Sequence, residues 1–162
     1  MQLRLQQYTD CFAETDPSVD LREISRKGVE GDVTGDVTEV ALKYLALALL
    51  SAIEEGASDI VLSARGDLNG SCHLRGDLDV RLPSPPSGLT REMIRILREV
   101  SGLESDRGKS ELAWGLRNDR LELSLQAERD GPEETLDLTL PWRKRDQPQD
   151  APRRRRTRRK QG

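Results

Sequence analysis

Histidine and cysteine are scarce in this chain of 162 residues, which holds one histidine and two cysteines. A single histidine excludes metal sites built from several histidines, and two thiols beside it do not form a zinc-binding pattern. Cys72 and His73 are neighbours in a predicted strand, where successive side chains point to opposite faces, so they do not form a nucleophile pair. We therefore predict no catalytic residues, no metal site and no cofactor, and hence a protein that is not an enzyme.

Aromatic residues are also few, because the chain has only two Trp, two Tyr and one Phe, and hydrophobic residues make up 35%. Leu, Val, Ile and Ala must therefore build the core, and they are patterned to do so only between residues 37 and 142. We predict three parts: a poorly ordered N-terminal segment (1–35), an α+β domain (36–142) and a disordered basic tail (143–162).

Long apolar runs are missing as well. The longest, Tyr44–Leu50, is too short to span a bilayer. The N-terminal sequence lacks a basic region followed by an apolar run, so we expect no signal peptide. Cys11 falls in the segment predicted to be poorly ordered, so we expect no disulfide bond. Free thiols are typical of reducing compartments, and we predict a cytoplasmic protein.

The net charge of −3 hides an uneven distribution along the chain. Residues 143–162 hold ten Lys or Arg and two Asp, a net charge of +8, which leaves −11 on the rest. Because the tail has no aromatic residue to stack on bases, it would bind nucleic acid only through the phosphate backbone, with a steep salt dependence. An anionic membrane surface or an acidic protein would also suit it. The polyanion-binding candidates are Arg143, Lys144, Arg145, Arg153, Arg154, Arg155, Arg156, Arg158, Arg159 and Lys160.

Two segments have the periodicity of amphipathic helices. In the first, 38–55, apolar residues recur at helical spacing and Gly56 ends the pattern. Its middle, YLALALL, is apolar on nearly all sides, which predicts the most buried element of the fold. The second helix begins at Thr90 and meets its first stop signal at Gly102.

Alternating residues predict five strands, at 60–62, 72–82, 112–116, 121–125 and 136–140. The resulting order, α-β-β-α-β-β-β, predicts an α+β fold in which two helices pack on one face of an antiparallel sheet. Leu3 and Leu5 also alternate, as in a short strand. Asp77 and Asp79 would share a face of the second strand, but no calcium-binding loop spacing surrounds them.

An internal repeat is visible at an offset of 52 residues. GASDIVLSAR at Gly56–Arg65 lies over GKSELAWGLR at Gly108–Arg117, and the same offset places Thr38 over Thr90. The repeat suggests a duplicated helix-turn-strand unit. Chance is the alternative, because any two amphipathic helix-strand units share this spacing.

Residues 49–82 resemble the domain that precedes the motor in type II secretion and type IV pilus ATPases. Ala57–Leu62 matches that family's Ala-Ser-Asp-Ile-His-Leu motif, with Val61 in place of the histidine. His73–Leu78 lies on its Arg-x-Asp-Gly motif, with His73 and Arg75 at the arginine and aspartate positions. Because most of the family's nucleotide-binding arginines are replaced, the resemblance implies an adaptor or regulatory relative that docks to a secretion or pilus apparatus.

The C-terminal strands resemble the end of an amphi-Trp domain, a small prokaryotic family of obscure function. Leu121–Ala127, a polar turn and Leu136–Arg143 follow that family's amphipathic strands, which end in tryptophan. The strand usually found between the helix and the final hairpin is missing here. Trp142 would close the last strand, either by packing on the sheet or as a partner contact.

The functional prediction is a non-catalytic protein-interaction or adaptor module, accessory to a secretion or pilus-type assembly. A protein partner would contact the outer sheet positions, the 83–88 loop and Trp142. The alternatives are a nucleic-acid-associated protein that acts through its tail and an amphi-Trp-like domain. The oligomeric state stays open.

Overall fold

The fold is known from a computed structural model that describes residues 2–13, 16–17, 19–22, 37–66, 70–77, 79–85, 87–116 and 119–141. Within these residues three helices and six strands have defined bounds, and residues 17 and 19–22 are also helical. In chain order they are α1 (Gln2–Phe12), α2 (Val37–Glu55), β1 (Asp59–Arg65), β2 (Ser71–Arg75), β3 (Val80–Arg81), α3 (Ser87–Ser101), β4 (Arg107–Leu116), β5 (Asp119–Asp130) and β6 (Glu133–Thr139).

The six strands form a single antiparallel sheet in the order β3-β2-β1-β6-β5-β4. β1 therefore lies in the middle and pairs with β2 on one side and with β6 on the other. Helices α2 and α3 pack on one face of this sheet, and α1 packs on α2 and on the edge strand β4, so the predicted α+β class is confirmed. No helix in the described ranges is both long enough and apolar enough to cross a membrane.

Helix α2 is the most buried helix, as its apolar middle predicted, and ten of its residues are buried. Its Thr38 hydroxyl donates to Glu92 of α3 at 2.6 Å, which joins the two helices near the start of α2. Gly56 and Gly102, the predicted helix ends, follow α2 and α3 with φ angles of +68° and +75°. Glycine adopts this left-handed conformation without the steric cost that a side chain would add.

The first residues of the chain form helix α1, so the prediction of a short strand at Leu3 and Leu5 is wrong. Leu5 and Thr9 are buried, and the indole N–H of Trp114 in β4 donates to the Thr9 hydroxyl at 2.9 Å. Residues 2–12, which fall in the segment predicted to be poorly ordered, thus pack on α2 and β4. Residues 23–36 of that segment lie outside the described residues.

The predicted second strand, 72–82, is two strands. After β2 the chain turns, and β3 pairs back on β2 with His73 opposite Arg81 and Leu74 opposite Val80. A close approach accompanies this turn, because a side chain at Gly76 would come within 3.3 Å of the Ala57 backbone. β2 ends where its partner β1 begins, with Arg75 opposite Asp59, and the close approach to Ala57 favours glycine at the bend that follows.

The internal repeat is present in the order of elements but not in their arrangement. Each half consists of a helix followed by three antiparallel strands, α2-β1-β2-β3 and α3-β4-β5-β6. The first strands of the two halves are β1 and β4, and each half can be turned so that its first strand points up with the helices in front. β2 then lies on one side of β1, whereas β5 lies on the opposite side of β4. The two halves are therefore of opposite hand, and no rotation superimposes them.

Candidate interaction surface

One face of the sheet is not covered by α2 or α3, and α1 approaches it at the β4 edge, where the Gln6 side chain lies beside Gly115. Strand residues alternate, so every second side chain joins the core cluster with the helices and the others point away. We call the side that points away from the helices the open face. The strand register places its side chains in rows, one of which runs Arg81, His73, Val61, Asp137, Gln126 and Lys109 from edge to edge.

Arg75 connects three strands at the centre of the open face. Its guanidinium donates to Asp59 of β1 at 3.2 Å and to Asp137 of β6. Asp59 is only 1% exposed, and Thr139 of β6 also donates to it, at 3.5 Å. A buried carboxylate is costly unless it is paired and hydrogen-bonded, so this cluster holds β2, β1 and β6 together.

Charges on the open face are sorted by position. We call the outward side of β1–β3 the basic half, since it carries three arginines against one carboxylate. We call the outward side of β4–β6 the acidic half, since it carries six carboxylates against three basic side chains among the described residues. The charged residues of the basic half are Asp59, Arg65, Arg75 and Arg81, and those of the acidic half are Arg107, Lys109, Glu111, Arg120, Glu122, Glu128, Asp130, Glu133 and Asp137.

His73 lies in the basic half, on the opposite face from Cys72. Its Nδ1 atom is buried and makes no hydrogen bond to a described residue. Burial lowers the pKa of His73, and the nearby Arg75 and Arg81 lower it further against a smaller opposing effect of Asp79. His73 is therefore neutral at neutral pH. Cys72 of β2 is fully buried on the face of the sheet that the helices cover, and this burial raises the pKa of its thiol to about 12.

Depressions mark the surface of the described chain. A shallow one of about 230 Å³ lies on the open face where its halves meet, lined by Val61, Arg75, Gln126, Thr135 and Asp137 among others. A larger one of about 490 Å³ lies beside the end of α2 and the β3 edge, and its lining includes Glu54, Glu55 and Arg81. Among the described residues, no group of three or more His, Cys, Asp or Glu side chains is arranged to hold a metal ion.

The structure describes some of the residues that were predicted to contact a partner or an ion, and others lie outside it. All ten basic residues of the tail, together with Trp142, lie outside the described residues. In the 83–88 loop, the Pro83 carbonyl accepts from the Tyr44 hydroxyl at 2.6 Å, and the Pro85 carbonyl accepts from Gly70 N–H at 2.9 Å. These bonds hold the described part of the loop against the core. Asp77 and Asp79 lie in the turn between β2 and β3 and not on one strand.

The Arg75 cluster was not predicted from the sequence. Period-two alternation does place Asp59, Arg75 and Asp137 at outward positions, and this is the signal that was available. Their contact depends on the β1–β6 pairing, which joins residues nearly 80 positions apart. Neither known protein families nor curated proteins match this chain in sequence.

Proposed function

We propose that this protein is a non-catalytic interaction module of the cytoplasm whose open face docks a protein partner. The observation that carries the proposal is the separation of charge on the open face. Basic side chains lie mainly on β1–β3 and acidic side chains mainly on β4–β6. Antiparallel sheets often have one solvated face, which needs only mixed polar residues. Charges separated by sign across a face additionally give directional complementarity to a partner.

The basic half indicates the chemistry of that partner. Arg65 and Arg81 are exposed, and neither makes an ion pair with another described residue. Arg75 is already engaged with Asp59 and Asp137, yet its side chain is still 46% exposed. Arginine forms paired hydrogen bonds with carboxylates, so an acidic segment of the partner fits here.

The resemblance to secretion and pilus ATPase domains gives this proposal a biological setting. The Ala57–Leu62 motif that carries the resemblance leads into β1, the strand at the centre of the open face. An adaptor that docks to a secretion or pilus-type assembly would use such a surface without any chemistry of its own. This setting rests on the resemblance alone.

Site-specific photo-crosslinking in cells tests the proposal. A photoreactive residue replaces Ser63 or Thr135 on the open face, and matched controls replace Glu54 of α2 or Glu99 of α3. We expect one and the same protein to be captured from both open-face positions and from neither control. Equal capture from all four positions, or capture from the controls only, would refute a docking role for the open face.

The charge of the tail favours a second candidate function, which is binding of a polyanion such as nucleic acid. Ten basic residues within residues 143–162 would give an affinity that falls steeply as salt rises. A full-length variant with Arg153–Arg156, Arg158, Arg159 and Lys160 changed to glutamine tests this function in a salt titration with DNA and RNA. Unchanged binding by that variant would exclude the basic run 153–160 as the site.

A further inference from the structure

The acidic half lies beside the point where the described chain ends. Residue 141 follows β6, and β6 itself belongs to the acidic half. Three of its carboxylates, on Glu128, Asp130 and Glu133, lie at the far end of the β5–β6 hairpin. They line a separate small groove of about 110 Å³ together with Thr135. Arg107 pairs with Glu128 there, whereas Asp130 and Glu133 make no ion pair with a described residue.

The remaining chain is long enough to reach these carboxylates. β6 has seven residues and is therefore about 20 Å long at about 3.3 Å per residue. Between residues 141 and 153 lie twelve peptide steps, which span up to about 40 Å when extended. The run 153–160, with seven basic residues, can therefore return along β6 to the Glu128–Glu133 end of the acidic half.

We propose that the basic tail of this protein docks on its own acidic half. The tail carries +8, and the acidic half has three more carboxylates than basic groups, so the charges are complementary. Tethering makes the contact intramolecular, which raises the effective tail concentration to about the millimolar range for a short linker. Individually weak surface ion pairs thereby become sufficient to hold the tail.

Docking of the tail would regulate the open face. A docked tail neutralises the carboxylates that would repel an acidic partner at the neighbouring basic half. A polyanion that captures the tail would expose these carboxylates again and weaken partner binding. This consequence rests on the proposed function, whereas tail docking itself does not depend on the partner.

Zero-length carbodiimide crosslinking of the full chain tests the docking directly. The reagent joins a lysine to a carboxylate in contact with it, so Lys160 reports where the end of the basic run lies. We expect Lys160 to link to Glu128, Asp130 or Glu133 in preference to Glu54, Glu55 or Asp77. The links should disappear near 1 M salt, where the screening length falls to about 3 Å.

A mixture of isotopically light and heavy chains separates docking within one chain from docking between copies. In an equal mixture, crosslinks that join a light to a heavy chain as often as they join chains of the same label would overturn the proposal in favour of a second copy as the occupant. Links from Lys160 spread evenly over all exposed carboxylates would overturn it too. Carbodiimide crosslinking needs no partner, so a negative result leaves the photo-crosslinking test of the open face unaffected. A negative photo-crosslinking result likewise leaves the test of tail docking unaffected.

Trypsin cleavage of the tail gives an independent measurement. The variant E128Q/D130N/E133Q should release the tail, whereas E54Q/E55Q/D77N changes the net charge equally at exposed sites elsewhere. If half to nine-tenths of the tails are docked, release would speed cleavage after the arginines by about two- to tenfold. Equal cleavage rates in both variants and the native chain would contradict docking.

Discussion

Replacing Arg75 by glutamine removes the guanidinium that contacts both Asp59 and Asp137. Asp59 is 1% exposed, so the substitution leaves a buried carboxylate without this counter-charge. Breaking a buried ion pair costs about 3–5 kcal/mol, whereas a fully exposed pair contributes about 0–1 kcal/mol. Since Arg75 is 46% exposed and Asp59 is not, we expect a loss of about 2 kcal/mol in the free energy of unfolding.

Urea unfolding followed by circular dichroism measures this loss, and the slope of the transition should not change. The double-mutant cycle of R75Q and D59N isolates the pair from other effects of each substitution. We expect a coupling energy of about 2 kcal/mol and only a small further cost of R75Q when it is added to D59N. A cost of R75Q below about 0.5 kcal/mol, typical of ordinary surface sites, would refute the role assigned to Arg75.

Two further predictions concern packing and thiol exposure. G70A should destabilise the protein by about 1–3 kcal/mol, because the new methyl group would lie 1.9 Å from the Thr90 hydroxyl oxygen. The matched G88A has no atom within 4 Å of the new carbon, and it should stabilise α3 by about 0.4–1 kcal/mol. Thermal unfolding measures both changes. A thiol reagent should modify the exposed Cys11 rapidly and the buried Cys72 only in denaturant, so equal rates in the native protein would contradict the placement of β2.

Helices α2 and α3 and most strands could be predicted because their apolar spacing is local and strong. The ends of both helices at Gly56 and Gly102 were predicted for the same reason. The left-handed backbone conformation that ends a helix favours glycine whichever element follows. Helix α1 could not be found in this way. Its anchor is the bond between Thr9 and Trp114, and a contact across 105 residues leaves no periodic signal.

The candidate surface was only partly predictable. Alternation identifies which charged residues face outward, but the sorting of their signs appears only once β6 is placed between β1 and β5. The sequence order alone does not place β6 there, because β6 is the last strand in the chain and a central strand in the sheet. The sequence therefore placed Arg75 only at a position of the Arg-x-Asp-Gly motif, although it connects three strands.

The central claim is that a partner docks on the open face through its basic half. The most direct measurement is the dissociation constant of the crosslinked partner for R65Q/R81Q, compared with R4Q/R95Q on helices α1 and α3. Both variants lose two positive charges. The account predicts that R65Q/R81Q binds about tenfold more weakly, which is about 1.4 kcal/mol, and that R4Q/R95Q binds as the native protein does. Equal affinities of the two variants would contradict it.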